Sequence, residues 1–164
     1  MPIKGDFDSN QHVHDSATRA AKGIPTFAYS ASEEARHHVH PTLDPRRIRN
    51  KIFHVLESRD TPEFPEALSV FVTLDVTGSN ITCAREVQKT LPGFMTLLKK
   101  YVKYPQVAVG ANDDYGTEAR LVEPERCIQV SEFETGNELD KHILNITLVN
   151  NGGGNNRESV RQTA

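Results

Sequence analysis

Apolar side chains are concentrated in one half of the chain. Residues 1–65 are polar and rich in His, Pro and Arg, whereas 67–149 carry almost every apolar run, so a single core is expected in the second half. Leu68-Ser69-Val70-Phe71-Val72-Thr73-Leu74 is short, β-branched and nearly continuously apolar, the pattern of a parallel strand covered on both faces. Val87, Leu91, Phe94, Met95, Leu98 and Val102 then recur at helical spacing in a helix beginning near Thr82, leaving Lys89, Lys99, Lys100 and Lys103 for solvent. Pro92 lies inside this pattern and is expected to kink the helix or split it near Thr90, because its ring meets the preceding turn and it lacks an N–H.

Residues 106–111 read as a second strand, and a strand, helix, strand unit of this kind is parallel and right-handed in nearly all folds. Cys127-Ile128-Gln129-Val130 reads as a third strand, antiparallel to the second. A helix from about Asn137 to Val149 follows, with Leu139, Ile143 and Ile146 inward and Asn150-Asn151-Gly152 ending it. Residues 1–30, with Gly5, Gly23 and Pro25, read as an extended or loosely ordered arm anchored by Phe27 and Tyr29. Ser32 can cap a short helix over Ser32-Glu33-Glu34-Ala35-Arg36, and Pro45 can open another reaching Ile52. The expected organisation is thus a polar N-terminal arm, 1–65, and an α/β domain, 66–164.

Candidate chemistry sits where the first strand ends. Asp75, Thr77 and Ser79 place three oxygens at i, i+2 and i+4 on a turn relieved by Gly78, so they can face one point. A hard cation such as Mg²⁺ takes about six oxygen ligands and keeps several waters. Only Asp75 is charged, so a bound ion would stay electropositive and an acidic side chain from a partner could complete its shell. The competing reading is a strand-to-helix turn in which Ser79 caps the helix and Asp75 accepts backbone N–H bonds. Tracing strand directions brings Asn112-Asp113-Asp114 and the Gly152-Gly153-Gly154 to Glu158 stretch to the same end of the sheet.

Leu74-Asp75-Val76-Thr77-Gly78-Ser79 resembles the strand-end signature of von Willebrand factor A-type (VWA) domains, Asp-x-Ser/Thr-x-Ser, the core of their metal-ion-dependent adhesion site (MIDAS). Pro92-Gly93-Phe94-Met95-Thr96-Leu97-Leu98, Gln129 to Glu134, and Asn151-Gly152-Gly153-Gly154 with Glu158-Ser159 look like a prokaryotic or phage-borne group of that family. The resemblance implies a Rossmann-like sheet of which this chain supplies the N-terminal half, strands in the order 3-2-1 with the third antiparallel. It further implies Mg²⁺, Mn²⁺ or Ca²⁺ at Asp75, Thr77 and Ser79, and a protein partner that offers a carboxylate. In the family a further hydroxyl follows the Gly-rich stretch and another carboxylate ends a later strand. Ser159 and Glu158 are the stand-ins here, beside the positive charge of Arg157. A half-sheet leaves its first strand at an edge, which recruits another strand, so self-association, or completion of the sheet by another polypeptide, is expected.

The remaining signals narrow the function classes. A formal net charge of −3 and a pI of about 6.2 give no global reason to expect nucleic acid or an anionic membrane as partner. Without a signal peptide or a long apolar span, the chain is expected to be cytoplasmic, and Asn80-Ile81-Thr82 and Asn145-Ile146-Thr147 to be chance sequons. His12, His14 and His37-His38-Val39-His40 lack Cys or carboxylate companions at finger-like spacing and are expected on a solvated surface, as is the basic run Arg46 to Lys51. Asp113-Asp114 reads as turn chemistry.

Enzyme readings have less support. Thr77 stands where an aspartate-nucleophile phosphatase needs its second acid, and neither a nucleophile elbow nor a phosphate loop is present. A binding module is the leading reading. A small hydrolase or phosphotransferase using Asp75, and a truncated structural half-domain without a working site, are the alternatives. Cys83 and Cys127 should remain unbridged, since the second strand is expected to lie between them. Thiol titration of the denatured, unreduced chain should therefore find two free thiols per molecule, and a deficit would overturn that arrangement.

Overall fold

The computed structural model describes residues 6–36, 38–45, 65–112 and 128–148. Among these the chain is mixed α/β. Three α-helices, α1 (Ser9–Ala21), α2 (Ile81–Tyr101) and α3 (Glu138–Leu144), accompany β1 (Leu68–Asp75), β2 (Pro105–Asn112) and β3 (Ile128–Val130). The sheet order is β1-β2-β3, with β1 parallel to β2 and β3 antiparallel to it, as the strand pattern predicts. Expectations for Arg46 to Ile52, for Asp113-Asp114 and for Gly152 to Ser159 lie outside the described residues.

Coverage of the two parallel strands is unequal. All eight residues of β2 are buried, so the expectation of a strand covered on both faces holds there. For β1 it fails: Val70 and Val72 are only partly buried, Leu74 is buried, and Leu68, Ser69, Phe71, Thr73 and Asp75 are exposed. The reason is position. β2 has a strand on either side, whereas β1 has one neighbour among the described residues. The Phe71 ring lies so close over Gly110 that a Cβ there would come within 2.6 Å of it, which is why β2 carries glycine opposite that ring.

One face of the sheet carries α2 and α3. A cavity of about 120 Å³ lies where Val72, Val107 and Val109 of the sheet meet Val87, Leu91 and Phe94 of α2 and Leu139 and Ile143 of α3. α2 buries Ala84, Gln88, Leu91 and Met95 along one stripe and is not split at Pro92. Breaking it would expose Leu91 and Met95, which are at most 2% accessible. Burial of two such side chains, each about 1.5–3 kcal/mol, offsets the roughly 3 kcal/mol cost of an interior proline. The Thr90 and Thr96 hydroxyls donate to the Glu86 and Pro92 carbonyls at 2.6 and 2.8 Å on either side of the interruption.

α3 is shorter than its periodicity suggests, although Leu139, Ile143 and Ile146 are all buried as expected. The backbone after Leu144 has better partners than a further helical turn. The Gln129 side-chain amide donates to Thr147 O at 2.9 Å and accepts from Thr147 N–H at 2.8 Å, while Leu148 N–H donates to Ser30 Oγ at 2.9 Å.

The largest departure lies in the arm. Residues 9–21 form α1, capped by Asp8, whose Oδ1 accepts from Asn10 and Gln11 N–H at 2.8 and 3.2 Å. Phe7, Phe27, Val39 and Leu43 belong to the same buried cluster as the sheet and α2, Phe27 being the anchor foreseen. The short helix opened by Ser32 reduces to a 3-10 turn, Glu34–Arg36, with Ser32 Oγ accepting from Ala35 N–H at 3.2 Å. His12 is buried, not solvated, with its Nδ1 3.3 Å from Asp140 Oδ1 although out of line for a hydrogen bond.

Asp140 ties three helices together. Arg19 of α1 approaches its Oδ2 at 3.5 Å, and the Gln88 amide of α2 donates to its Oδ1 at 3.0 Å. Asn137 and Asp8 exchange two further bonds across α1 and α3, at 2.7 and 2.9 Å. A buried carboxylate held by several donors is costly to remove, because the donors are left without a partner. Asp140→Ala should lower the urea-unfolding free energy by about 2–3 kcal/mol. Glu138→Ala, which removes only an exposed pair with Lys141, should change it by about 0.5 kcal/mol or less.

Candidate metal site at the end of the sheet

β1 and β2 run parallel in a register that places Asp75 beside Asn112, the last residue of each strand. Register partners on neighbouring strands share a face. Two carboxamide or carboxylate side chains therefore stand together where both strands end, and Val76 N–H donating to Asn112 O at 3.0 Å holds the chain close as it leaves β1. Thr77 follows in extended conformation, and Gly78–Asn80 form a 3-10 turn that runs into α2. Cys83 on the first turns of α2 is a free, exposed thiol.

Asp75 is exposed, but its oxygens are engaged. Oδ1 accepts from Thr77 N–H at 2.9 Å and from the Thr77 hydroxyl at 2.7 Å, and Oδ2 accepts from the Asn80 amide. This is close to the turn reading, with one correction. The residue preceding α2 is Asn80, not Ser79, and its side chain makes no capping bond. Ser79 lies in the middle of the 3-10 turn, so the three sequence-derived positions fall within one strand-to-helix turn.

The donor set still suits a hard cation. A carboxylate offers about four lone-pair sites, of which these contacts use two on Oδ1 and one on Oδ2, leaving Oδ2 able to take one more partner. Thr77 is buried, and its hydroxyl, while donating to Asp75, retains its own lone pairs. Asn112 Oδ1 is buried without a hydrogen-bond partner, which is unusual for an amide oxygen and costs about 1–3 kcal/mol if it stays so. Among the described residues no group of three or more His, Cys, Asp or Glu side chains is gathered as a metal cluster. With a single carboxylate and neutral oxygens, the Asp75 turn is not of that type.

Two residues that the motif does not announce thus enter the site. Asn80 competes for Asp75, a contact readable only as a polar side chain five positions on. Asn112 is visible as the polar residue that ends a strand whose other polar side chain is Gln106. No described helix is long and apolar enough to cross a membrane. No protein-family model, curated protein or solved structure gives a significant match to the chain.

Proposed function

We propose that this chain is a divalent-metal-dependent protein-binding module of the VWA type, with Asp75, Thr77 and Ser79 as the metal-binding turn of a MIDAS-like site. The observation that carries this reading is Asn112 Oδ1, a buried oxygen without a partner in register beside the one charged residue of the motif. The strand order, with β3 antiparallel, supports it as well, being the 3-2-1 half of the sheet that the resemblance implies. A bound Mg²⁺, Mn²⁺ or Ca²⁺ would supply an electropositive point for a carboxylate of a partner protein, since one aspartate does not neutralise it. The function is adhesion or assembly and not turnover.

Thermal unfolding in EDTA and in millimolar Mg²⁺ tests the reading. Metal should stabilise the parent by about 1–3 kcal/mol at tens to hundreds of times Kd. Asp75→Ala should abolish the effect, and Thr77→Ala, Ser79→Ala and Asn112→Ala should weaken it. Identical melting in both buffers would overturn the metal site. Hydrolysis of a generic phosphate ester, lost in Asp75→Ala, would move the protein to the phosphotransferase alternative.

A further inference from the structure

α2 and α3 do not close completely over the sheet. The cavity of about 120 Å³ beneath them has a floor of Leu91, Val107, Val109, Leu139 and Ile143, each at most 2% exposed. Partly buried Val72 and Val87 and exposed Thr90 and Phe94 complete its wall, so the mouth lies on their side. Protein interiors hold few voids larger than a water molecule, and side chains that line one forgo contacts they would otherwise make. A void of this size is therefore unusual.

Two features keep it open. The sheet residues that face it, Val72, Val107 and Val109, are short, β-branched and stiff at χ1, so they cannot swing in to fill it. The two helices are also pinned. Gln88, next in sequence to Val87, donates its amide to Asp140, next in sequence to Leu139, at 3.0 Å. That bond fixes the spacing of α2 and α3 beside the cavity and resists the inward shift by which a void collapses.

The lining decides what can enter. Among the residues around the cavity none is charged, and only Thr90 carries a polar side chain. Its hydroxyl donates to Glu86 O at 2.6 Å, within its own helix. A trapped water needs about two to four polar partners, which these side chains do not offer. An apolar cavity of about 150 Å³ stays dry and takes benzene or xenon, so one of about 120 Å³ is on the scale of a single six-membered ring. Phe94, 36% exposed at the mouth, presents a ring against which an aromatic molecule packs edge to face.

We propose that this cavity is a binding site for one small aromatic hydrocarbon of benzene's size, which enters past Phe94 and is held by apolar burial and dispersion without a hydrogen bond. The site shares no residue with the Asp75 turn. Its test is made in EDTA, so the metal reading plays no part in it.

Titration calorimetry of the full chain with benzene in sealed cells should give one site per chain. Benzene near saturation should also raise the urea midpoint, because a ligand bound only by the folded state stabilises it. Phenol should bind more weakly, since nothing in the lining repays the desolvation of its hydroxyl. Val87→Phe grows a ring from the rim into the cavity and should lose benzene binding. Val109→Leu fills it from the floor and should weaken binding, with circular dichroism showing that each variant is folded. Met95→Leu, a volume-conserving swap in the same helix but outside the lining, should bind as the parent does. No heat and no midpoint shift in the parent, undiminished binding in folded Val87→Phe and Val109→Leu, or phenol bound as tightly as benzene would overturn the proposal.

Discussion

The described fold is arranged around one strand that is buried along its whole length. β2 is buried at each of its eight residues, and a strand in that condition needs partners on both edges and cover on both faces. β1 and β3 supply the edges. Helices α2 and α3 supply one face through Val107 and Val109, and on the other the Phe71 ring closes over Gly110. The same demand explains why Gln106, wholly buried in the middle of this arrangement, is tolerated: it has a polar partner of its own.

The attachment of α1 follows a different logic. Its sequence offers little apolar surface, and His12 is its only buried residue. Docking therefore rests on directed contacts: the reciprocal Asp8 and Asn137 bonds, and the approach of His12 and Arg19 to Asp140. Because the Gln88 amide meets the same carboxylate, the orientation of α1 is coupled to that of α2 across α3. Polar contacts of this sort specify geometry more than they add stability.

What could be read from residues alone divides along the same line. The two parallel strands, the antiparallel third and α2 were legible, because apolar burial imposes a period on the sequence. α1 was not, since Asp8, His12 and Arg19 carry no period and acquire meaning only beside Asp140. The exposure of β1 was hidden for a related reason: composition reports how apolar a strand is, not how many neighbours it has. At the Asp75 turn the three oxygen-bearing positions were legible as a motif. The competing bond from Asn80 and the unpartnered oxygen of Asn112 were not, because both depend on where the 3-10 turn and the β1–β2 register place them.

The Gln129 side chain has a consequence beyond ending α3. Its amide both donates to and accepts from the backbone of Thr147, the exchange that a neighbouring strand residue would make. Thr147 lies outside every helix and strand, yet its N–H is tied to the middle residue of β3. Its hydrogen exchange should then follow the opening of β3 and not the fraying of a loop, making Ile128–Val130 and residues 145–148 one cooperative unit of local unfolding. A three-residue strand is thereby lengthened in effect, with a side chain serving as the extra rung of its ladder.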